Sequence, residues 1–411
     1  MAERAVWTST QRHVVTASFL GWMLDAFDFF LVVFVISQLS KDFNVGVPKV
    51  SEALFLTLAM RPVGAFLFGR IADHFGRKPA LMISVVFYSV AELATAASSS
   101  LDMFLLLRAL FGIGMGGVWG VGASLAFESV PTSSRGFVSG LLQVGYPTGY
   151  LLASLAYGLL FDQIGWRGMF ILGALPALLV FYIQRSVPES SVWTEMKSQP
   201  KASGLLHSLS GHWGLALYAI ILMACFNFFS HGTQDLYPTF LQKQHGFDTQ
   251  ITSRIAITYN IGAICGGLLF GTLSSRMGRR KMIALASALS LVAIPFWAYG
   301  STAVELAIGA FFMQVMVQGA WGVVPAHLNE LAPAGIRATF PGVVYQLGNL
   351  IASRNSVIQA TLAEQHGSAA HPDYSFALAL IAGIGAVLLV VLSLLGPEKR
   401  GVHFGNPGNP S

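Results

Sequence analysis

The segment GRIADHFGRK (69–78) returns 202 residues later as GTLSSRMGRR (271–280). A second pair of segments has the same offset: GVWGVGASLAFESVPTSSRG (117–136) and GAWGVVPAHLNELAPAGIRA (319–338). The residues that recur in this second pair are Trp119 and Trp321, Gly120 and Gly322, Glu128 and Glu330, Pro131 and Pro333, and Arg135 and Arg337. The repetition predicts a chain built from two related halves. Parallel repeats of this kind are typical of transporters with a central site between the halves.

Composition indicates a membrane protein. The 411 residues are 54% hydrophobic and only 10% charged, against roughly 25% charged in a soluble domain. Apolar segments of about 20 residues recur along the whole chain, which predicts a polytopic helical membrane protein. The first apolar stretch, Val14 to Leu39, is too long for the core of a cleavable signal peptide, so we expect none.

Twelve spans are predicted, in an all-α membrane protein of two pseudo-symmetric six-helix bundles. They lie at about 14–37, 50–72, 79–98, 101–127, 136–161, 167–186, 213–240, 250–274, 281–300, 303–329, 338–361 and 374–396. The expected division is a first bundle at 1–186, a cytoplasmic linker at 187–212, a second bundle at 213–396 and a cytoplasmic tail at 397–411.

Basic residues predict the orientation. With both termini cytoplasmic, 16 Lys and Arg residues fall on the inside and five on the outside, and Arg61, Arg108 and Arg354 lie within spans. This bias predicts a multi-pass protein of the cytoplasmic membrane with both termini inside. The net charge of +5 reflects this topology, because the basic residues sit in short loops, and we expect no nucleic-acid partner.

Charged side chains within spans need a partner or a water-filled cavity, because their burial in lipid costs several kcal/mol. Asp25 and Asp28 share one face of span 1, and at least one is expected to hold a proton, since two buried carboxylates cannot both ionise cheaply. Arg61 on span 2 is expected to bind an anionic substrate; alternatively it locks spans 1 and 2 together through an aspartate. Arg108 is expected to form a salt bridge and pack, and Glu92 to be structural, as is Arg354.

The segment NFFSHGTQDLYPT (227–239) places Asn227, His231 and Asp235 at four-residue spacing, with Gln234 beside them. This polar stripe must face other helices or a cavity. An imidazole and a carboxylate one turn apart form a coupled titrating pair, which proton relays in transporters use. A purely structural hydrogen-bonded seam between helices is the alternative.

The repeated loops carry matching charges, which we expect to close the cytoplasmic side through ion pairs across the halves. The predicted gate residues are Asp73, Arg77, Glu128, Arg135, Arg279, Glu330 and Arg337. Ser275 stands where the first half has Asp73, which weakens one gate contact. The alternative is that these charges only fix topology and solvate the surface.

The sequence resembles the major facilitator superfamily over nearly its whole length. The evidence is the 69–78 loop signature, the Glu-x6-Arg spacing at both repeated loops, and the element VPES (187–190), echoed by GPEK (396–399). Residues 227–239 also resemble a signature of the Jen-type lactate permeases of the sialate:proton symporter family, N-x-x-S/T-H-x-S/T-Q-D-x-x-x-T. The matching residues are Asn227, Ser230, His231, Thr233, Gln234, Asp235 and Thr239.

The resemblance implies a symporter of a small monocarboxylate and a proton. Its substrate site would lie between Arg61, the span 7 stripe, and Gln346 and Asn349 of span 11. His231 and Asp235 would handle substrate and proton, with Asp25 and Asp28 next in line for the proton. The short 26-residue link favours small carboxylates.

Other functions stay open at this point. An aromatic acid, a dicarboxylate or a sialic acid is an alternative substrate, and a non-transporting nutrient sensor is more remote, because the tails are short. Catalytic motifs and metal-ligand spacings do not occur in the sequence, so we expect no enzyme, no cofactor and no metal. The expected partners are a small carboxylate anion, a proton and membrane lipid, with the protein a monomer.

Overall fold

The computed structural model describes residues 7–45, 47–197, 211–247, 249–333, 336–368 and 371–402, and in them every regular element is a helix. The helices before residue 198 are Ser9–Asp42, Val47–Phe75, Arg77–Ala96, Leu101–Ser129, Arg135–Leu172, Ala177–Ser186 and Ser191–Lys197, with a 3₁₀ turn at Thr132–Ser134. Those after residue 210 are Trp213–Gln234, Tyr237–Lys243, Thr249–Met277, Arg279–Tyr299, Ala303–Trp321, Val324–Leu331, Thr339–Ala352, Asn355–His366 and Tyr374–Leu395.

Ten helical stretches in the described part of the chain are long and apolar enough to cross a membrane. The other two predicted spans are the fifth and the eleventh. Span 5 lies inside Arg135–Leu172, which continues past the expected end at residue 161 through a break at Gly165, where φ is +61°. Span 11 consists of two pieces, Thr339–Ala352 and Asn355–His366. The prediction of an all-α protein with twelve membrane helices is confirmed.

Three further spans are interrupted where the sequence predicted continuous helices. Span 6 turns at residues 173–176, span 7 ends at Gln234 and resumes at Tyr237, and span 10 ends at Trp321 and resumes at Val324. A proline stands at the start of each resumed piece, at positions 176, 238 and 325. Proline lacks an N–H donor, so it fits the first turn of a helix and disfavours continuation from the preceding one.

Glycines allow close contact between paired helices. Span 2 packs along span 4, and span 8 along span 10. A Cβ added at Gly116 would lie 2.1 Å from the carbonyl oxygen of Arg61, and one at Gly266 would lie 2.0 Å from that of Val315. Any side chain at these two positions would therefore push the helices apart.

The two halves meet at the end of the molecule that carries the loops around residues 76, 131, 278 and 333, which we call the loop end. Ser124 donates to the Asn329 side chain at 3.1 Å, and the Ala326 N–H donates to Ser139 at 3.1 Å. A tilted aromatic contact between Trp119 and the ring of Tyr345 lies further along the same interface. The loop end is thus closed by direct contact of the halves.

Candidate functional site

A cavity of about 410 Å³ lies between the halves. Its lining residues from the first half are Phe29, Phe30, Leu54, Leu58, Gln143, Tyr146, Pro147 and Tyr150. Those from the second half are Asn227, Ser230, His231, Gln234, Asp235, Tyr259, Asn260, Ala263, Gln318, Trp321 and Tyr345. Both halves therefore form the wall, which is mainly aromatic and amide in character.

The polar stripe of span 7 faces this cavity. His231 Nδ1 lies 3.1 Å from Asp235 Oδ1, with side chains 29% and 34% exposed. Asp235 directly follows the last residue of the helix, Gln234, and its N–H still donates to the His231 carbonyl at 3.0 Å. The pair thus sits where span 7 breaks, in the wall of the cavity. The side chain of Thr239, which completes the predicted signature, lies outside the described residues.

Neighbouring helices hold the stripe in place. The Gln234 amide donates to Gln314 Oε1 at 2.9 Å, and Gln314 donates to Thr233 Oγ1 at 3.2 Å. Asn349 of span 11 lies close to the side chain of His231. The seam that the sequence offered as an alternative is therefore present beside the cavity wall. Gln314 was not predicted from the sequence. The only sign of its role was a polar amide side chain within the apolar span 10.

Arg61 and Gln346 lie one layer behind the cavity. Arg61 is 2% exposed, and its guanidinium carbon lies 5.7 Å from the ring centroid of Trp22. Trp22 in turn stacks on Tyr146, a lining residue, with ring centroids 5.6 Å apart. Gln346 is also buried, and neither it nor Asn349 is part of the lining. Arg61, Gln346 and Asn349 are therefore not among the described lining residues, and the rings of Trp22 and Tyr146 stand between Arg61 and the cavity.

The remaining charges of the first half are in its core. Asp25 and Asp28 are fully buried, and their carboxylates have no hydrogen-bond partner among the described residues. Arg108 forms an ion pair with Glu92, and its guanidinium carbon lies 3.9 Å from the Phe111 ring centroid. The structure thus supplies the partner of Glu92 that the sequence left unassigned. In the second half, Arg354 is exposed at the break in span 11.

The ion pairs of Arg77 and Arg279 form within each half, whereas the prediction placed ion pairs across the halves. Arg77 Nη2 lies 2.9 Å from Glu128, and Arg279 Nη2 lies 3.0 Å from Glu330. Each arginine begins the third span of its own half, directly beside the end of the fourth span. This adjacency brings the acid of the same half within reach. Arg77 Nη1 also lies 3.3 Å from Asp73.

The contacts that do cross the halves are hydrogen bonds at helix starts. Asp73 accepts from Thr339 Oγ1 at 2.5 Å and from the Ala338 N–H at 3.2 Å. In the related position of the other half, the Gly136 N–H donates to Ser275 Oγ at 3.0 Å. Arg135 and Arg337 lie within electrostatic range of the opposite acids, Glu330 and Glu128 respectively.

Two further acids at the loop end were missed as contact residues. Glu189 accepts from the Arg77 N–H at 2.9 Å, and Glu398 accepts from the Arg280 N–H at 3.1 Å. Each binds the first turn of a helix, where free N–H groups favour a negative charge. The echo of VPES (187–190) by GPEK (396–399) was the signal that could have identified them.

Comparison with known proteins agrees with this architecture. The profile of the Major Facilitator Superfamily matches residues 18–353 and 236–409. The "Carboxylic acid transporter protein homolog" of Saccharomyces cerevisiae is 30% identical over 415 residues, covering 93% of this chain and 67% of that protein. The "Sialic acid transporter NanX" of Escherichia coli is 28% identical, covering 82% of this chain and 84% of its own.

Among solved structures, the proton:xylose symporter XylE matches with a TM-score of 0.78 and 18% identity, over 97% of this chain and 98% of that one. This likeness concerns the fold. The predicted resemblance to the superfamily, with relatives that carry carboxylic and sialic acids, is confirmed by the sequence matches. The chain therefore belongs to the Major Facilitator Superfamily and is a membrane transporter, not an enzyme.

Proposed function

We propose that the protein carries a small monocarboxylate of the lactate and pyruvate class together with a proton, by alternating access. The observation that supports this most directly is the His231–Asp235 pair in the cavity wall. Among the described lining residues, His231 is the only side chain able to become a cation near neutral pH, and Asp235 is the only carboxylate. A carboxylate substrate and a proton thus have one shared point of attachment.

Charge balance gives the coupling a physical reason. The empty pair, with neutral His231 and ionised Asp235, carries one negative charge. Binding an anion alone would double that charge in a cavity bounded by low-dielectric walls. Binding the anion with a proton restores the charge of the empty cavity, so occlusion of the loaded carrier meets no additional electrostatic barrier. We therefore expect one proton for each monocarboxylate.

The surroundings support an anion at this position. The Gln234 and Asn227 amides offer further polar groups in the lining. Arg61 lies within electrostatic range of His231 from behind the aromatic layer. The name of the yeast relative, a carboxylic acid transporter homolog at 30% identity, is consistent with the same substrate class. Asp25 and Asp28 remain the next residues to test for coupling.

We place the protein in the cytoplasmic membrane with both termini inside, as the distribution of basic residues favours. In that orientation the closed loop end faces the cytoplasm, and the seven gate residues would separate during transport. We also propose the division into bundles at 1–186 and 213–396, with the linker and the tail on the cytoplasmic side. A monomer is sufficient for this mechanism, because one chain forms the whole cavity.

An aromatic acid is the second candidate substrate. Seven aromatic side chains line the cavity: Phe29, Phe30, Tyr146, Tyr150, Tyr259, Trp321 and Tyr345. A volume of about 410 Å³ also falls in the range of sites for drug-sized ligands. Stacking on these rings would favour a planar acid over lactate.

Uptake into proteoliposomes tests both candidates. Labelled L-lactate is offered with and without an inward proton gradient, and we expect uptake above equilibrium that collapses with a protonophore. A competition series with pyruvate, acetate, benzoate and sialic acid then ranks the substrates. Strong inhibition by benzoate with no lactate uptake would favour the aromatic acid. Lactate uptake that ignores the proton gradient would contradict coupling.

A further inference from the structure

We propose that Gln359 is a positioning residue for the His231–Asp235 pair, acting through the backbone at the break in span 7. Gln359 lies on the second piece of span 11, is fully buried and is not among the described lining residues of the cavity. Its amide Nε2 donates to the carbonyl oxygen of Gly232 at 2.7 Å. Gly232 directly follows His231. The inference rests on the proposed role of this pair and assigns the residue that holds it in place.

The Gly232 carbonyl needs a donor because the helix ends two residues later. In a continuous helix, this carbonyl would accept from the N–H of residue 236. Span 7 ends at Gln234, and the bond from the Asp235 N–H to the His231 carbonyl closes its last turn. In the described residues, the Gly232 carbonyl is thus the first that the break leaves without a helical donor. Gln359 supplies that donor from another span.

The surroundings of Gly232 are apolar, which makes this hydrogen bond important. Gly232 is buried, and a Cβ added to it would lie 2.8 Å from Ile381 Cγ2 of span 12. Its missing side chain therefore allows an aliphatic group to cover it. A buried carbonyl that loses its donor costs about 1–3 kcal/mol. The Asn355 amide donates to Gln359 Oε1 at 3.5 Å, which orients the Gln359 amide.

The hydrogen bond also sets the relative position of the two titrating side chains. His231 precedes the capped carbonyl and Asp235 follows the last helical residue, so the pair straddles the break. Without Gln359, the Gly232 carbonyl would regain a donor if the Leu236 N–H turned towards it. That turn would carry Asp235 with it, because the two residues are adjacent in the chain. Gln359 therefore maintains the 3.1 Å separation of His231 Nδ1 and Asp235 Oδ1.

Both pieces of span 11 contact span 7 at this pair. Asn349 of the first piece lies close to the His231 side chain, and Gln359 of the second piece binds the next residue of the backbone. Gln359 lies one turn after Asn355, where the second piece begins. A movement of this piece would thus reach the pair through a single hydrogen bond.

Uptake of labelled L-lactate into proteoliposomes tests the effect on the pair. Gln359→Met keeps the length of the side chain and removes the donor. We expect KM to rise by up to about tenfold and half-maximal uptake to move to a lower pH, because proton and anion meet a pair that is no longer held together. Neither quantity depends on the amount of folded protein. Gln365→Met is the control, since Gln365 is exposed on the same helix, and it should leave both unchanged. An unchanged KM and pH profile in folded Gln359→Met would overturn the proposal.

Distances between spin labels test the same role without substrate. Labels at Ile221→Cys and Lys243→Cys are exposed on the two sides of the break in span 7, in a Cys265→Ser background. Gln359→Met should add a second distance population, and Gln365→Met should not. A single, unchanged population in Gln359→Met would refute the role of Gln359, whether or not lactate is carried.

Asn355→Ala keeps the test decisive if Gln359→Met does not fold. This variant removes only the group that orients the Gln359 amide. It should change KM, the pH profile and the label distances in the same direction as Gln359→Met, by a smaller amount. Properties identical to those of the unmodified protein would contradict the proposal.

Discussion

The two halves of the molecule repeat their loops but place their charges differently. At the offset of 202 residues, five buried charged residues of the first half correspond to uncharged ones in the second: Asp25 to Asn227, Asp28 to Ser230, Arg61 to Ala263, Glu92 to Ile294 and Arg108 to Ala310. Conversely, His231 and Asp235 correspond to Phe29 and Val33. The first half thus holds its ionisable groups in the core, and the second holds its own in the cavity wall.

The loops show which structural features the two halves have in common. Gly76 and Gly278 adopt φ angles of +115° and +101°, a region that other residues rarely enter. The ion pairs that follow these glycines, Arg77–Glu128 and Arg279–Glu330, are nearly equal in length. Features present in both halves therefore serve the fold that both share. Features present in one half are the better candidates for transport.

The largest expected effect is on the cavity charge of the second half. Asp235→Asn should abolish accumulation of substrate in proteoliposomes, because the pair loses the carboxylate that takes part in binding a proton together with the anion. The unmodified protein should accumulate about tenfold for each unit of pH gradient. Exchange of labelled for unlabelled substrate should survive in the variant, since it requires no net proton movement.

Asp102→Asn is the control for that experiment, because Asp102 is exposed at the start of span 4. It should accumulate substrate as the unmodified protein does. Full accumulation by Asp235→Asn would show that proton coupling does not need the cavity carboxylate of the second half. The coupling residues would then lie in the first half.

The next effect concerns the core ion pair of the first half. Arg108→Leu leaves Glu92 buried without a counterion, which should destabilise the protein by about 3–5 kcal/mol. The double variant Glu92→Leu/Arg108→Leu imitates the apolar second half and should recover most of that loss. Thermal unfolding in detergent measures both.

The control for Arg108→Leu is Arg254→Leu, which removes an arginine from an exposed position of span 8. It should change the free energy of unfolding by no more than about 0.5 kcal/mol. If the double variant were as unstable as Arg108→Leu alone, Glu92 and Arg108 would contribute to stability by more than neutralising each other's charge.

Local sequence patterns were enough to predict the number of helices and their division into two halves. Length, hydropathy and the offset of 202 predicted twelve helices in two related halves. The breaks in spans 6, 7 and 10 were missed, although prolines at 176, 238 and 325 marked them. Proline also occurs within unbroken helices here, for example Pro62, so its effect depends on the packing around it.

The candidate site was predictable in part for the same reason. Helical periodicity placed Asn227, His231 and Asp235 on one face, and the structure turns that face to the cavity. The depth of Arg61 was not predictable, because it depends on how Trp22 stacks on Tyr146. Side chains from spans far apart in sequence decide which polar group reaches a cavity and which lies behind it.

An intermediate effect is expected from substitutions that change the hydrogen bonds between the halves at the loop end. Asp73 accepts hydrogen bonds at the start of span 11 from Thr339 and Ala338, and Ser275 accepts one at the start of span 5. Asp73→Ser makes the two sides alike and removes a charged acceptor, which should weaken closure by about 1.5–3 kcal/mol. Ser275→Asp should strengthen it.

Distances between spin labels at Phe75→Cys and Met277→Cys report this opening, because both positions are exposed at the loop end. The background should carry Cys265→Ser, since Cys265 is exposed and Cys225 is buried. We expect a longer-distance population in Asp73→Ser and none in Ser275→Asp. Equal distance distributions in the two variants would show that Asp73 does not govern closure.

The smallest expected effect separates two glycines that are related by the repeat. A Cβ at Gly140 would lie 2.4 Å from the Gly267 carbonyl oxygen, whereas at Gly342 the nearest atom is 3.5 Å away. Gly140→Ala should therefore force spans 5 and 8 apart and weaken closure by about 1–2 kcal/mol, and Gly342→Ala should be tolerated. The same label pair measures both variants. A larger opening in Gly342→Ala would mean that the interface of spans 2 and 11, and not that of spans 5 and 8, is the tighter contact between the halves.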